Sequence, residues 1–310
     1  MRKLDRVLRS VADKQVMLTF IGESGVGKEV LARRAHELSD RRNGPFVPIN
    51  CAAIPESLFE SELFGHERGA FTGASERARG KVEAADGGTL FFDEIGEMPA
   101  PMQAKILRFL DNRRFMRVGG TTKLEADVRL MCATLRPLAQ DVRAGRFRAD
   151  LYYRIEGVTL QVPPLRERRS ALMPLIRQFI AETTTRHRVE PPRLTRPVRA
   201  VLLQYDWPGN VRELRNVIER LCLLRGGRQV RLHDLPEHMH AQAPGELAVA
   251  PGPLVLSLDD GLDAMVRKIV EATLIEAGGD TRRAATRLRI SPRTIQRYIA
   301  TGQVRVQVPG

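Results

Sequence analysis

Neither a disulfide framework, a membrane span nor a secretion signal is expected from this sequence. Its three cysteines, at positions 51, 132 and 222, are scattered and odd in number. That fits neither a disulfide framework nor the paired spacing of a zinc site, so they read as reduced packing residues. The longest apolar runs, such as VMLTFI at 16–21, fall far short of the ~20 residues that a bilayer-spanning helix needs. The basic residues at positions 2 and 3 are followed by no apolar block with a small-residue cleavage site. No signal peptide is expected, and the expected location is the cytoplasm, away from membranes. Lysine is scarce too, supplying only 7 of the 50 basic residues.

What is present is ordinary globular composition, 43% hydrophobic and 28% charged, which excludes a disordered or collagen-like chain. At roughly 150 residues per domain, 310 residues predict about two domains. The net charge of +13 points to an acidic partner, nucleic acid or nucleotide phosphates. Because arginine dominance also follows genome composition, the placement of charge along the chain has to decide.

Up to about residue 240, short β-branched apolar runs alternate with amphipathic segments, the pattern of a parallel α/β sheet flanked by helices. Strands are expected at 16–21, 46–50, 89–93 and 128–134; after 158–162 the texture changes, with helices without intervening strands at 171–185, 197–205 and 211–224. The resulting division is an α/β core over 1–164, a small helical subdomain over 165–240, a Pro/Gly/Ala-rich linker over 241–257, a small all-α unit over 258–300 and a tail over 301–310.

Residues 16–29 read VMLTFIGESGVGKE, an apolar strand, a glycine-rich turn and a helix opening at Lys28. Gly22, Gly25 and Gly27 let the backbone amides of the turn, with Glu23, Ser24 and Val26 between them, face an anion at a helix N-terminus. A triphosphate suits that geometry, with Lys28 on its β and γ phosphates. Glu29 stands where such turns usually carry a magnesium-binding Ser or Thr, so the metal must be held otherwise. The segment TLFFDE at 89–94 ends a buried-type strand in two carboxylates. Asp93 would orient hydrated Mg²⁺ and Glu94 would polarise an attacking water. Either motif alone is also what a plain glycine turn or a solvated acidic loop looks like; together they predict ATP hydrolysis.

Several ordered motifs then resemble the sigma-54-dependent transcriptional activators, the bacterial enhancer-binding proteins of the AAA+ class. They are GESGVGKE (22–29), NCAAI (50–54), ESELFGHER (60–68), GAFTGA (69–74), GGTLFFDEIGEM (87–98), FRADLYYR (147–154), PPLRER (163–168) and WPGNVREL (207–214). The resemblance implies an AAA+ P-loop fold with a helical lid and a loop of Gly69, Ala70, Phe71, Thr72, Gly73 and Ala74 that touches the sigma-54 factor, with Phe71 and Thr72 as the contacting pair. It also implies Asn50 as the link from Glu94 to that loop, and Arg148 and Arg154 as fingers completing the neighbouring subunit's site in a homo-oligomeric ring, expected as a hexamer. Thr134 is implied as a sensor at the strand end, Arg212 as the lid residue reading the γ-phosphate, and Trp207 and Pro208 as structural. At 135 this chain has Leu where the family usually has a polar residue, and an apolar side chain cannot bond water or phosphate. The sequence starts about twenty residues before the phosphate loop, where the family usually carries a regulatory domain, so either control comes from a partner protein or from expression level, or the true start lies further upstream.

At the C-terminus, Leu262, Met265, Val266, Ile269, Val270, Thr273 and Leu274 have helical spacing suited to a partner helix. A helix over 282–288, a turn through Ser291 as N-cap and a second helix over 292–300 give helix-turn-helix spacing. Six Arg and one Asp fall within 280–300, where a DNA backbone would lie. Arg293, Thr294, Gln296 and Arg297 are the candidates for base or phosphate contacts. The unit resembles a Fis-type domain, which implies enhancer DNA as partner. The expected function is an ATP-hydrolysing activator that remodels sigma-54 polymerase complexes. The alternatives are a DNA-binding regulator with a degenerate ATPase, acting by occupancy or by partnering another activator, and a remodeller of other protein targets, against which GAFTGA argues.

Overall fold

The computed structural model describes residues 2–135, 137–240, 261–277 and 280–300. In chain order the helices and strands are α1 (Arg2–Val11), β1 (Leu18–Ile21), α2 (Lys28–Glu37), β2 (Phe46–Asn50), α3 (Glu56–Phe64), β3 (Gly65–His66), β4 (Ala78–Arg79), α4 (Lys81–Ala84), β5 (Thr89–Asp93), α5 (Ala100–Asn112), β6 (Arg114–Phe115), β7 (Leu124–Glu125), β8 (Arg129–Thr134), α6 (Leu138–Arg143), α7 (Ala149–Ile155), β9 (Val158–Gln161), α8 (Leu172–His187), β10 (Arg193–Leu194), α9 (Arg196–Gln204), α10 (Asn210–Arg225), β11 (Gln229–Val230), α11 (Glu237–His240), α12 (Leu262–Glu276), α13 (Thr281–Leu288) and α14 (Pro292–Ala300). Contacts divide the chain into two units, 1–195 with 205–230, and 196–204 with 231–310. The segment 165–240 contributes to both, and the expected linker and tail lie outside the described residues.

In the first unit, five parallel strands run in the order β2-β5-β8-β1-β9. Strands covered on both faces read as nearly continuous apolar runs, and period-2 alternation then divides their side chains between two layers. Leu90, Phe92, Leu130 and Cys132 join Phe59, Leu63, Ile106, Phe109 and Leu151 in one buried cluster. Their alternates Phe91, Met131 and Ala133 join Leu8, Ala32, Ala35 and Leu160 in the other. At ~1.5–3 kcal/mol for each large buried side chain, these two layers are the main source of stability. The three cysteines are free and buried, and burial pushes the thiols of Cys132 and Cys222 up to about 11. Their expected packing role holds.

The expected strands 46–50 and 89–93 match residue for residue, and the others shift by one or two positions. The strand foreseen at 16–21 begins at Leu18, where its register with both β8 and β9 begins. The two-residue pairs β3/β4, β6/β7 and β10/β11 had no periodicity to reveal them. In the helical part, α8 buries Leu172, Ile176, Phe179 and Thr183, and α10 buries Leu214, Val217, Ile218, Leu221 and Cys222, each a single stripe at helical spacing. Arg215 of α10 lies 4.6 Å over the Phe179 ring. No helix among the described residues is long and apolar enough to cross a membrane.

In the second unit, Val270 and Leu274 of α12 pack with Ala284 and Ala285 of α13 and Ile295 of α14. Asp280 caps α13 by accepting the amides of Arg282 and Arg283 at 2.9 and 3.2 Å, and Arg289 turns the chain at φ 54°.

Candidate functional site

Three neighbouring strands end side by side at the carboxyl edge of the sheet, the place where open parallel sheets offer a crevice to ligands. β1 runs into the glycine turn, β5 into the acid pair and β8 into Thr134. Ile21 is in register with Thr134, and the Gly22 amide donates to the Thr134 carbonyl at 3.2 Å. The turn holds glycine where geometry demands it. Gly25 and Gly27 have φ of 74° and 95°, in the left-handed region that side chains resist. A Cβ at Gly25 would meet the Gly209 carbonyl oxygen at 2.5 Å, whereas a Cβ at Gly27 would meet nothing closer than 4.0 Å. Gly27 caps α2 without a side-chain bond, which leaves the first-turn amides of that helix for an anion.

Lys28 is only 6% exposed. Its Nζ donates to the Gly22 carbonyl at 2.8 Å, the Glu23 carbonyl at 3.4 Å and Glu94 Oε1 at 3.2 Å. One ammonium therefore ties the turn to the acid pair. Glu94 holds φ 53°, a strained conformation of order 1–3 kcal/mol that the surrounding structure must impose. Asp93 Oδ1 accepts the Glu94 amide at 3.1 Å. Burial pushes the Asp93 carboxyl up, the charge of Glu94 adds to this, and Lys28 opposes it. Thr134 is buried, while Leu135 beside it is 49% exposed. Glu29 is paired on the helix surface with Arg33 at 3.2 Å.

Asn50 lies at the same edge, in register with Asp93, but its Oδ1 accepts the Ala52 amide at 3.0 Å. The direct Asn50–Glu94 link implied by the resemblance is not among the hydrogen bonds of the described residues. Glu94 is held by Lys28, and Asn50 closes its own turn.

The start of α10 closes over the turn. Val211 donates its amide to the Gly25 carbonyl at 3.0 Å, and Arg212 Nη1 donates to Ser24 Oγ at 2.9 Å. Buried Asn210 does more than Arg212. Its Nδ2 donates to the Ser24 carbonyl at 3.0 Å and to Glu23 Oε2 at 3.1 Å, and its Oδ1 accepts the Leu165 amide at 2.8 Å. Arg166 grips Glu23 through two bonds of 2.6 and 2.9 Å, and Arg168 Nη2 donates to the Val26 carbonyl at 2.6 Å. Hydrogen bonds from Arg166 and then Asn210 lower the Glu23 carboxyl to about 2. The sequence reading missed Asn210, Arg166 and Arg168 although all three stand inside the quoted motifs PPLRER and WPGNVREL. A charged or amide residue in a motif does not announce which backbone it will meet.

The GAFTGA segment forms a tight surface loop. Gly69 and Gly73 have φ of 81° and 103°, and a Cβ at either would find open space. The Gly69 amide donates to the Ala74 carbonyl at 2.8 Å and the Ala74 amide to the Phe71 carbonyl at 3.0 Å. Phe71 is 39% exposed, its ring 5.0 Å from that of His66, edge on, and Thr72 is exposed. Ala74 is 6% exposed, so it packs inward, and the expected surface set of six loses that member. Under the loop, buried Arg117 bonds Glu67 at 2.8 Å and Glu83 at 2.6 Å.

Arg148 and Arg154 stand at opposite ends of α7, about 9 Å apart along the axis at 1.5 Å per residue. Arg148 pairs with Asp150 at 2.7 Å and Arg154 with Asp111 at 3.3 Å. Neither bonds a residue of the phosphate turn or acid pair in its own chain. On α14, Arg293, Gln296 and Arg297 are exposed. Thr294 is half-buried, its amide donated to Ser291 Oγ at 3.2 Å and the two hydroxyls 2.9 Å apart, so it serves the cap that Ser291 was expected to form.

Residues 1–161 match the sigma-54 interaction domain and residues 166–250 the AAA+ ATPase lid domain. The chain is 43% identical over 300 residues to the transcriptional regulatory protein ZraR of Klebsiella oxytoca, an alignment covering 95% of this chain and 66% of that protein. It is 49% identical over 228 residues to the sigma54-dependent transcriptional activator SfnR of Pseudomonas putida, covering 74% and 62%. It thus spans just under two thirds of these relatives' length. The crystal structure of NtrX from Brucella abortus in complex with ADP superposes with a TM-score of 0.73 at 33% identity, covering 98% of this chain and 68% of that one. With an α/β AAA+ P-loop sheet, a lid closing on its phosphate turn and both domain matches in sequence order, this chain belongs to the sigma-54 interaction domain family.

Proposed function

We propose that this chain is an ATP-hydrolysing transcriptional activator that binds enhancer-like DNA and remodels closed complexes of sigma-54 RNA polymerase into open ones. The observation that carries this reading is the joining of the phosphate turn to the acid pair through the 3.2 Å contact of Lys28 with Glu94, in the same unit as a glycine-hinged loop that exposes Phe71.

ATP would lie with its phosphates on the amides of residues 22–29. Lys28 would leave its carbonyl partners for the β and γ phosphates, freeing Glu94 to accept a proton from the attacking water. Among the described residues no three His, Cys, Asp or Glu side chains gather into a metal site. One carboxylate with phosphate and water oxygens suits Mg²⁺, which keeps several waters beside phosphates. Mg²⁺ held at Asp93 through water would screen the phosphate charge. Thr134 and Arg212 would sense the γ-phosphate. The exposed guanidinium groups of Arg148 and Arg154 would serve the neighbouring subunit, which makes turnover depend on a ring of copies, six by expectation. Phe71 and Thr72, on the loop of residues 69–73, would grip sigma-54, and Arg293, Gln296 and Arg297 would meet DNA. The proposed division keeps 1–164 as motor core, 165–240 as lid and 258–300 as DNA-binding unit, in a cytoplasmic protein.

Leu135 favours a second reading, a regulator with weakened hydrolysis that acts by occupancy. ATP-dependent open-complex formation with sigma-54 polymerase on a test promoter decides between them. Open complexes, with specific ATPase activity rising with protein concentration, support the remodelling reading. DNA binding without phosphate release at ring-forming concentrations overturns it.

A further inference from the structure

At the opposite, amino edge of the sheet lies a second basic cavity. It has a volume of ≈ 260 Å³ and is lined by Gln15 and Met17 before β1, Leu110 and Arg113 at the end of α5, Arg129 at the start of β8 and Arg154 at the end of α7. Six residues of β8 separate this edge from Thr134, roughly 15–20 Å at ~3.3 Å per residue. It is not part of the phosphate cradle.

Three arginines line it. Arg129 is 4% exposed, and it bonds only main-chain carbonyls, those of Ala12 and, at 3.2 Å, Val11. Its buried Nε has no hydrogen-bond partner. Arg113 Nη1 donates to the Val128 carbonyl at 2.6 Å. Arg154 donates to the Leu110 carbonyl at 3.4 Å and pairs at the rim with Asp111. Carbonyls satisfy donors but carry no net charge, and among the described residues no carboxylate comes within 4 Å of Arg113 or Arg129. Burial and the nearby charge of Arg41 both push the pKa of Arg129 down, opposed by Asp13 and Asp40. Asp13 and Asp40 offset this burial only from beyond salt-bridge distance, and an oxyanion in the cavity supplies the close counter-charge that Arg129 lacks.

We infer that this cavity binds a small oxyanion, a phosphate or a small carboxylate, at a site separate from the nucleotide cradle and held by Arg113 and Arg129 between the α1–β1 turn and α5. Its volume fits a small metabolite and falls below that of a nucleotide-sized pocket. Arg113 is the readiest handle, being at the surface and outside the proposed hydrolytic machinery.

The test is calorimetric titration of the full chain with inorganic phosphate and, separately, malonate at matched ionic strength, using wild type, Lys28→Ala and Arg113→Gln. One site per chain that survives Lys28→Ala and weakens about tenfold or more in Arg113→Gln is expected, since a lost charge-assisted bond has that order of effect. The preferred ion of the two identifies the oxyanion class. Binding that disappears in Lys28→Ala overturns the inference, because the ion then sat in the cradle. Absence of binding by either ion also overturns it. Should Arg113→Gln fail to fold, phosphate titration of wild type followed by the arginine Nε–H resonances replaces it. A solvent-protected resonance that moves with the calorimetric midpoint supports the site, and one that stays still refutes it.

Discussion

The phosphate turn and the GAFTGA loop both rely on glycines at positive φ, yet they are built in opposite ways. The turn is covered: Gly25 touches the Gly209 carbonyl, and Asn210, Arg166, Arg168, Arg212 and Lys28 all bond residues 22–26. The loop is bare, with open space above Gly69 and Gly73 and an aromatic ring left part-exposed. Glycine in the turn answers to close approach, and glycine in the loop answers to bending alone. Substitutions in the turn should therefore disturb fold and chemistry together. Those at the loop tip should disturb partner contact and nothing else.

The largest expected effect is on chemistry. Glu94→Gln should keep nucleotide binding, because Lys28 and the turn remain, and lose ~10²–10⁴-fold in turnover, the usual contribution of a positioned base. Phosphate release at the wild-type rate would remove Glu94 from that role. Next comes Asn210→Ala, which leaves the Leu165 amide and the Ser24 carbonyl without their partner inside the closed lid. A loss of ~1–3 kcal/mol is expected, read as a fall of roughly 2–4 °C in Tm per kcal/mol, together with weaker nucleotide binding. A variant of unchanged Tm would mean that the lid contact is dispensable.

A smaller effect is tied to pH. The Glu23 carboxyl, ordinarily at 4.5, is lowered to about 2 in the fold. The folded chain therefore binds fewer protons at this group than the unfolded chain, and its contribution is complete above pH ~4.5 and fades as pH falls toward 2. Glu23 is part-exposed, so the contribution is modest. Comparing Tm against pH for wild type and Glu23→Gln should show the two curves converging in that window, and parallel curves would contradict the clamp. The smallest stability change is expected for Thr72→Ala, within ~0.5 kcal/mol of wild type as for other bare surface positions. ATP hydrolysis should persist while sigma-54-dependent open complexes fail to form. A drop in Tm larger than that would show the loop to be a structural element after all.

Much of the site could be read in the sequence because local chain order creates it. The strand-turn-helix over 18–37 needs only neighbours in the chain, so Gly25, Gly27 and Lys28 could be placed on its turn in advance. The acid pair was likewise found at the end of its strand. Contacts between distant segments were not legible in the same way. Asn210 meets Ser24 across 186 positions and Arg166 meets Glu23 across 143, and nothing in the spacing of either motif specifies that pairing. Asn50 illustrates the reverse: its place beside Asp93 follows from the strands, while its side chain turns to the amide two residues ahead. Ala74 was grouped with the loop tip by motif, but the return of the chain turns it inward.

By itself the sequence determined the parallel sheet, the glycine turn, the acid pair and the basic helical end, because alternation, glycine placement and charge density act over a few residues. Tertiary structure alone decided how the lid locks the turn, which motif residues stay at the surface, and that three arginines from 113, 129 and 154 share one cavity. Those outcomes depend on which distant segments are brought within hydrogen-bond reach and shielded from water, and only the packing of strands and helices sets that.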